Sequence, residues 1–412
     1  MREMKDSRIE WVGQIPSTWR INKGKYFISL LNKPARETDE IITCFRDGEV
    51  TLRSNRREDG FTVSLTETGY QGIDVGDLIV HGMDGFAGAI GISDSRGKAT
   101  PVLNVLNTTE CKKYLMYLMR SMAYCGLFLS LSTGIRVRTC DTNWKKLREI
   151  DYLLPDLLEQ QNIANFLDAK YAEIDDLTSD IQAQIDTLEQ YKRSVITEVV
   201  TKGLNPDAEM KDSGIQWIGM IPSHWDCIRG KYILKYIQKP VREDDGVITC
   251  FRDGEVTLRS NRREDGFTVA DKEIGYQGID VGDLVVHGMD GFAGAIGISD
   301  SRGKASPVLN VLNAKQNKRY IMYFLRSMAY SDVFLALATG IRVRSCDLRW
   351  NKLAELFYPV PPIEEQDAIV QHIDDVLYKA NEVIAQKKDQ LSVLEAYKKS
   401  LIFEYVTGKK EV

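Results

Sequence analysis

The chain is a gap-free tandem duplication. The segment from Ile42 to Val63 recurs letter for letter at 248–269, and the segment from Val80 to Ala99 recurs at 286–305. Both pairs lie 206 residues apart, which is half of the 412-residue chain. Two equivalent units are commonly related by a pseudo-two-fold axis, and duplex DNA is the commonest target with that symmetry. The repeat therefore predicts two equivalent globular domains and favours a two-fold symmetric target.

Length and composition fit a multidomain globular protein. With 412 residues, 43% apolar and 27% charged, the chain exceeds a single hydrophobic core. No apolar run approaches the roughly 18 residues of a membrane span, and the N-terminus lacks the apolar core of a signal peptide. None of the seven cysteines forms a C-x-x-C pair. We expect the repeat mates Cys44/Cys250 and Cys140/Cys346 to be buried free thiols in a reducing cytoplasm.

The net charge of −5 is unevenly distributed. Segment 159–202 holds nine Asp or Glu against four Lys or Arg, and its mate 365–408 holds eight against five. The acidity therefore lies in these two segments, and the rest of the chain is mildly basic. Such a balance does not exclude DNA binding, but it predicts help from a partner protein.

Each repeat is predicted to be a globular domain followed by one long helix. Short β-branched and aromatic runs separated by glycine predict strands, whereas Leu115, Leu118, Met119 and Met122 predict a helix over 111–125. The expected fold class is therefore α/β (α+β), in two tandem copies. The predicted divisions are a first domain at 1–155, a central helix at 156–204, a second domain at 205–361 and a C-terminal helix at 362–412.

The two helical segments have the pattern of an antiparallel coiled coil. Asp156 and Glu159 have the spacing of a capping box at the start of the first helix, and Gly203 follows its end. Its length over 159–201, roughly 65 Å, exceeds what a globular domain needs. Apolar residues at a 3-4 heptad spacing predict the seam. The predicted seam residues are Ile174, Leu177, Ile181, Leu188, Tyr191, Val195, Ala380, Val383, Leu394, Tyr397 and Leu401.

Two details of this pairing follow from the residues. Lys387 interrupts the apolar pattern of the second helix, and an antiparallel pairing would place it near Asp180 or Asp186 of the first. Charge would then be offset across the seam. The alternative, in which each helix folds back onto its own domain, remains open at this point.

No residue pattern argues for catalysis. The chain contains neither the Asp/Asn-Pro-Pro-Tyr/Phe motif of amino-methyltransferases nor a G-x-G-x-x-G that opens a helix. The segment from Gly91 to Ala99 resembles a phosphate-binding loop, but it has five residues between its glycines instead of four and lacks the Mg²⁺-binding Ser or Thr. His81 and Asp84 are predicted to be a strand-end polar pair rather than metal ligands or an acid–base pair, because no third ligand is nearby. We predict a non-catalytic chain with no metal or cofactor of its own.

The globular domains instead carry Arg, Asn and Lys in loop-like settings. Arginine reads guanine and asparagine reads adenine through paired hydrogen bonds, while lysine holds phosphates. A solvated charged loop is the alternative, because Glu58 and Asp59 adjoin the first cluster. The unchanged repetition of the clusters favours recognition. The candidate DNA-binding residues are Arg53, Asn55, Arg56, Arg57, Arg96, Lys98, Arg136, Arg138, Arg259, Asn261, Arg262, Arg263, Arg302, Lys304, Arg342 and Arg344.

Several short segments, in order and twice over, resemble the specificity subunits of type I restriction–modification enzymes. WVGQIPSTW at 11–19 and WIGMIPSHW at 217–225 open the two halves, and a Gly-rich GFAGAIGIS follows in each. The entries to the long helices, LLPDLLEQQNIANFLD at 153–168 and YPVPPIEEQDAIVQHID at 358–374, combine proline, a Glu-Gln pair and an apolar run. Asp156 stands where the family usually has a second proline, and its capping geometry suits that place. The resemblance covers essentially the whole chain.

The resemblance implies a fold and a set of partners. It implies two target recognition domains, each reading half of a bipartite duplex DNA site, held apart by an antiparallel coiled coil with pseudo-two-fold symmetry. It also implies two methyltransferase subunits, which methylate adenine, and restriction subunits. S-adenosylmethionine, ATP and Mg²⁺ are then expected on those partner subunits and not on this chain.

The identical clusters sharpen this expectation. Members of the family usually carry two different recognition domains, whereas here the half-sites are expected to be inverted copies of one sequence. The target would be an interrupted palindrome whose unread gap depends on the helices. Segments 64–69 and 270–275 differ, as do 21–41 and their mates, so the half-sites differ if those segments touch DNA. An alternative from another functional class is a coiled-coil scaffold whose globular domains bind protein.

Overall fold

The computed structural model describes residues 2–56, 68–131, 142–262, 273–336 and 348–412. The chain divides into two units, residues 1–181 with 388–412 and residues 182–387. Each of the two long helices begins in one unit and ends in the other. The predicted division has four parts because it separates each long helix from its domain, whereas each unit contains parts of both helices. The predicted boundaries stay a prediction.

The elements recur in nearly the same order in the two repeats. The strands of the first repeat are β1 Met4–Asp6, β2 Gln14–Pro16, β3 Arg20–Lys23, β4 Ile28–Leu31, β5 Ile42–Cys44, β6 Val50–Leu52, β7 Gln71–Ile73, β8 Leu78–His81, β9 Ile90–Ile92, β10 Gly97–Ala99, β11 Leu103–Thr108 and β12 Asp151–Leu154. Its helices are α1 Lys112–Tyr124, α2 Leu127–Ser130, α3 Trp144–Leu147 and α4 Leu157–Lys202.

The second repeat continues the same series. Its strands are β13 Met210–Asp212, β14 Met220–Pro222, β15 Asp226–Arg229, β16 Leu234–Tyr236, β17 Ile248–Cys250, β18 Val256–Leu258, β19 Gln277–Ile279, β20 Leu284–His287, β21 Ile296–Ile298, β22 Gly303–Ala305, β23 Leu309–Ala314 and β24 Phe357–Val360. Its helices are α5 Gly230–Ile233, α6 Lys318–Tyr330, α7 Val333–Ala336, α8 Trp350–Glu355 and α9 Ile363–Val406.

A four-stranded antiparallel sheet, β4-β11-β8-β9, forms the middle of the first domain. Successive residues of a strand point to opposite faces. Leu78 and Val80 accordingly join the core under α1, while Ile79 joins a second core beneath the pairs β5–β6 and β7–β10. Both faces of the sheet are covered, which explains the unbroken apolar run in β8. The sheet β16-β23-β20-β21 repeats this arrangement in the second domain.

The local predictions for the globular domains are confirmed where the structure describes them. The helix predicted over 111–125 is α1, and the Gly-rich segment forms the turn and second strand of the β8–β9 hairpin. Cys44 and Cys250 are buried free thiols. Burial raises the pKa of both thiols to about 12. Cys140 and Cys346 lie outside the described residues.

A buried glutamine ties the start of α4 to the domain before it. The Gln160 side chain donates to Pro155 O at 3.0 Å and to Glu110 Oε2 at 2.6 Å. Its Oε1 accepts from the backbone N–H of Cys111 at 3.0 Å, immediately before α1. Both donors and the acceptor of this fully buried amide are therefore satisfied. Breaking the join would leave buried polar groups unpaired.

The glutamate before it completes the join. Asp156 Oδ1 accepts from the backbone N–H of Glu159 at 2.8 Å, as an N-cap does. The Glu159 carboxylate does not return to the cap residue; its Oε2 accepts from the indole N–H of the buried Trp19 at 3.1 Å. Half of the predicted capping box is thus present. The tryptophan segment and the Glu-Gln pair, which both carry the family resemblance, meet here.

The same join recurs at the start of α9. Glu365 Oε2 accepts from the Trp225 indole at 3.0 Å. Gln366 donates to Pro361 O at 2.8 Å, and its Oε1 accepts from the backbone N–H of Asn317 at 2.9 Å. Two prolines directly precede this helix, in place of the aspartate cap of α4.

Within the first unit the start of α4 and the end of α9 pack antiparallel. The rings of Phe166 and Tyr405 lie 4.5 Å apart, and further along α4 the Tyr171 hydroxyl donates to Lys398 O at 3.4 Å. Later residues of α4 therefore meet earlier residues of α9. The far end of α4, with Val199 and Val200, belongs to the core of the second unit. Neither finding fits a helix folded back onto its own domain.

The seam differs in detail from the predicted pattern. Ile174 and Ile181 are buried as predicted, but the next covered positions are Thr178 and Ile185, four residues further on. Residues three and four after a seam position flank it on opposite sides, so the direction of approach of the partner helix selects between them. The predicted seam residues that are exposed are Leu177, Tyr191, Val383 and Tyr397.

Lys387 has a different partner from the one predicted. Its ammonium group donates to the side-chain oxygen of Gln184, within the second unit, and not to Asp180 or Asp186. The predicted register of the pairing was therefore shifted by a few residues. A neutral amide still satisfies a lysine at the edge of the seam.

We expect Gln160→Ala to destabilise the protein by about 2–4 kcal/mol, because it leaves the Cys111 N–H and Pro155 C=O unpaired and each buried orphan costs about 1–3 kcal/mol. Urea unfolding measures the change. Gln161→Ala is the control. The exposed Gln161 side chain bonds Asn165 one turn on and accepts a weak bond from the Cys111 thiol at 3.7 Å, so this variant should stay within about 0.5 kcal/mol of the wild type. Equal losses in the two variants would contradict the role of the join.

Candidate nucleic-acid interface

The first candidate cluster follows a short hairpin. β5 pairs antiparallel with β6, with Cys44 opposite Val50, and a turn of 3-10 helix over Arg53–Asn55 comes directly after β6. The Asn55 amide donates to Thr51 Oγ1 at 2.9 Å, and Arg53 Nε donates to Thr43 Oγ1 at 3.4 Å. Both side chains therefore return to the hairpin that positions them.

Arg56 is held by two carboxylates and an aromatic ring. Its NH1 donates to Glu49 Oε2 at 3.1 Å and its NH2 to Asp47 Oδ2 at 2.5 Å. The guanidinium carbon lies 4.2 Å from the centre of the Phe45 ring, within cation–π range. Hydrogen bonding to Asp47 raises the pKa of Arg56. The side chain remains 38% exposed, so it is fixed in orientation yet accessible.

The second copy repeats these contacts. Arg262 donates to Glu255 at 3.1 Å and to Asp253 at 2.5 Å, and it lies 4.2 Å from the ring of Phe251. Asn261 donates to Thr257 at 2.9 Å, as Asn55 does to Thr51. Arg259 likewise occupies the place of Arg53. Identical sequence in identical surroundings thus presents the same side chains twice.

Arg96 braces the loop 33–39. Its Nε and NH2 donate to the two oxygens of Asp39 at 3.2 and 2.8 Å, and NH1 donates to Asp74 at 2.5 Å. A further bond reaches Pro34 O at 3.3 Å. Arg302 makes the equivalent set of contacts in the second copy. Most N–H donors of both guanidinium groups therefore bond acceptors of the protein itself. Base reading by Arg96 and Arg302 stays a prediction, and these contacts do not favour it.

Lys33 extends the same network. Its ammonium group donates to Asp74 and to the buried Asp77, each at 2.7 Å. Lys33 and Arg96 hold the pKa of the Asp74 carboxyl at about 2. The loop that carries residues 34–39 is therefore held by charge-assisted bonds on both sides.

The remaining candidates divide into two groups. Lys98 lies in β10 opposite Gly72, and its mate Lys304 donates to Glu273 at 2.7 Å. Of the divergent segments 64–69 and 270–275, residues 64–67 and 270–272 lie outside the described residues. So do six candidate arginines: Arg57, Arg136, Arg138, Arg263, Arg342 and Arg344.

Two further arginines were missed in the sequence. Arg36, with its mate Arg242, is exposed on the braced loop, and it forms no ion pair with the described residues. Arg46 is 63% exposed and pairs with Asp84 at 2.8 Å. Their recurrence at the common offset of 206 residues was an available signal, but isolated arginines in ordinary loops do not stand out.

His81 and Asp84 form the strand-end polar pair that was predicted. β8 ends at His81, whose Nδ1 accepts from the backbone N–H groups of Met83 and Asp84 at 3.2 and 3.0 Å. Burial lowers the pKa of the imidazole, which suits an unprotonated acceptor nitrogen. Across the described ranges no three His, Cys, Asp or Glu side chains gather as a metal site.

The glycines of the Gly91–Ala99 segment serve packing. A Cβ on Gly91 would lie 2.0 Å from Gly48 O, so only glycine fits beneath the first hairpin. The segment runs from strand β9 to strand β10 and opens no helix, whereas a phosphate-binding loop leads into a helix N-terminus. In the part of the chain that the structure describes, no helix is long and apolar enough to span a membrane.

Known proteins with similar sequences match this chain from end to end. The chain is 21% identical over 441 residues to the type I restriction enzyme MjaX specificity subunit of Methanocaldococcus jannaschii, covering 97% of this chain and 96% of that one. It is 24% identical over 425 residues to the type I restriction enzyme MjaVIII specificity subunit of the same organism, covering 97% and 94%. No protein-family model matches. Curated relatives of the whole chain are thus type I specificity subunits.

A solved structure shares the fold. A chain from a structure of the type I restriction–modification system superposes with a TM-score of 0.67 at 12% identity, over 96% of this chain and 99% of that chain. The mixed α/β domains, each followed by a long helix, are therefore an architecture already seen in that system.

The Asp74 network predicts a dependence of stability on acid. Because the folded-state pKa of about 2 lies below the usual value near ~3.9, the ion pairs stabilise the fold above about pH 4 and lose this effect as the pH falls through about 2. We expect the Tm difference between wild type and Asp74→Asn/Asp280→Asn to be largest near neutral pH and to shrink below about pH 4. Thermal melts across this range measure it. A constant difference would contradict the network's role.

Proposed function

We propose that this chain is the DNA-specificity subunit of a type I restriction–modification complex. Similarity over nearly the whole length to two specificity subunits supports this function. The structural observation that carries it is one accessible Arg surface presented twice, with Arg56 and Arg262 held by the same partners at the same distances. Two equal reading surfaces on one chain suit a bipartite duplex site.

In this proposal the chain selects DNA and its partners perform the chemistry. Methyltransferase subunits carry S-adenosylmethionine and methylate adenine, and restriction subunits use ATP and Mg²⁺. The chain docks both kinds of subunit and acts in the cytoplasm, where thiols such as Cys44 and Cys250 stay reduced. No catalytic residue is assigned to the chain itself.

The proposed target is an interrupted palindrome. Arg56 and Arg262, with the two carboxylates and the aromatic ring that hold each of them, make the same contacts. Each domain is therefore expected to prefer the same half-site sequence. Inverted half-sites about one helical turn apart, centre to centre, would fit a pair of equivalent domains.

Mapping of N6-methyladenine across a genome tests the function. Cells that carry this gene with its methyltransferase gene are compared with cells that lack only this gene. We expect one interrupted palindromic motif to lose its methylation. Loss of an asymmetric motif would keep the function but transfer base reading to the divergent segments. If no motif changes, the protein-binding scaffold becomes the favoured function.

Single arginine substitutions test the assignment of one domain to each half-site. Arg56→Ala should weaken recognition of one half-site by about 1–3 kcal/mol if this side chain reads a base. Arg262→Ala is the matched variant and should affect the other half-site equally. Methylation rates are measured on duplexes with the contacted base pair changed in one half-site or in both, because the complex can bind an inverted repeat in either orientation. A single variant should relax selection against the duplex changed in one half-site but not against the duplex changed in both. Equal relaxation on these two duplexes would contradict the assignment.

A further inference from the structure

The turn between β5 and β6 is rigid for reasons that do not involve Arg56. The buried Arg120 donates to Gly48 O at 2.9 Å and to Ile90 O at 2.8 Å. Gly48 has a φ of +91°, and Gly91 packs directly against its carbonyl oxygen. Contacts of the turn's backbone therefore position its two carboxylates independently of the arginine that they face.

The turn presents two carboxylates to one guanidinium. Glu49 and Asp47 each accept one bond from a terminal nitrogen of Arg56. Each terminal nitrogen carries two N–H groups and Nε carries one, so three of the five donors are not used by the residues that the structure describes. The Phe45 ring covers one face of the guanidinium and restricts it to one plane. The guanidinium of Arg56 therefore presents partly exposed N–H donors in a fixed direction.

The charges of the cluster formed by Arg56, Asp47 and Glu49 bear on whether it contacts the phosphates or the bases of a DNA duplex. Arg56 and the buried Arg120, which bonds Gly48 O between the two acidic residues, balance the two carboxylates. The cluster therefore has no net positive charge to attract a phosphate from a distance. A guanine edge carries no net charge and offers two neighbouring acceptors, N7 and O6, at short range. The cluster therefore favours contact with a base over contact with the backbone.

We propose that Asp47 and Glu49, with Asp253 and Glu255 in the second copy, are specificity-determining residues. They orient the guanidinium of the facing arginine toward a base edge and cancel its attraction to phosphates. Non-cognate DNA is then bound weakly, and cognate DNA is selected by short-range hydrogen bonds. The inference rests on the proposed function, because it assigns a task within the DNA-reading surface.

A charge-removing variant that keeps an acceptor for each arginine tests this inference. Asp47→Asn/Glu49→Gln/Asp253→Asn/Glu255→Gln retains an acceptor oxygen for the facing arginine at every position. At 47 and 253 the amide gives up only the carboxylate's second bond, which the backbone N–H of Glu49 or Glu255 donates at 3.1 Å. Removal of the carboxylate charges frees one cation in each copy for a phosphate. We expect the slope of log K against log salt on non-cognate duplex to steepen by about 0.9 for each copy. Non-cognate affinity should rise about five- to ten-fold per copy at about 0.1 M salt.

The measurement uses the chain assembled with its methyltransferase partner. Binding is titrated on a duplex that contains the mapped motif and on a scrambled duplex of the same length, at several salt concentrations. Methylation of the motif relative to its single-base-pair variants should become less selective in the amide variant, by a factor similar to the gain in non-cognate affinity.

A charge-matched control separates this effect from a general loss of negative charge. Glu37→Gln/Asp94→Asn/Glu243→Gln/Asp300→Asn removes four exposed carboxylates from the same two domains. It should change the salt slope far less than the amide variant does. Equal changes in the two variants would overturn the inference.

The same data distinguish failure of the inference from failure of the function. If the wild-type complex prefers no duplex sequence, the proposed function itself fails. If the wild type discriminates and the amide variant discriminates equally, with an unchanged salt slope, only the role of the four carboxylates is overturned.

Discussion

The buried glutamine at the start of each long helix fixes the direction in which the helix leaves its domain. Gln160 and Gln366 each bond the proline two residues before their own helix and the backbone N–H directly before another helix, from fully buried positions. The helices are 46 and 44 residues long and have only a narrow covered stripe. A small change of angle at the first turn of a long helix becomes a large displacement at its far end. The path of each helix therefore depends on the hydrogen bonds of this glutamine.

The candidate interface is rich in arginine and yet nearly neutral. Arg56 faces two carboxylates, Arg96 bonds Asp39 and Asp74, and Arg46 pairs with Asp84. Long-range attraction to phosphates depends on uncompensated charge, whereas base recognition depends on oriented donors at short range. Paired arginines of this kind keep directional hydrogen-bond donors while their charge is largely compensated.

The two copies differ where they contact the long helices. In the first unit Tyr171 packs against Tyr117, with ring centroids 5.5 Å apart. Its mate Leu377 lines a cavity of about 550 Å³ within the second unit. Identical hairpins therefore rest on domains whose helix-facing sides have diverged. The sequence of the hairpins is therefore kept the same in the two copies even where the residues that pack against the long helices differ.

Repetition and periodicity were sufficient to predict the two copies, α1, the β8–β9 hairpin and both long helices, because these features depend on residues close in sequence. They did not predict which residue after Ile174 is covered in the seam. Leu177 and Thr178 flank the seam on opposite sides, and the direction from which the partner helix approaches decides that Thr178 is covered. Nor did repetition and periodicity show that Arg56 and Arg96 face carboxylates. Those pairings join residues up to 57 positions apart, which come together only when strands and loops pack in three dimensions.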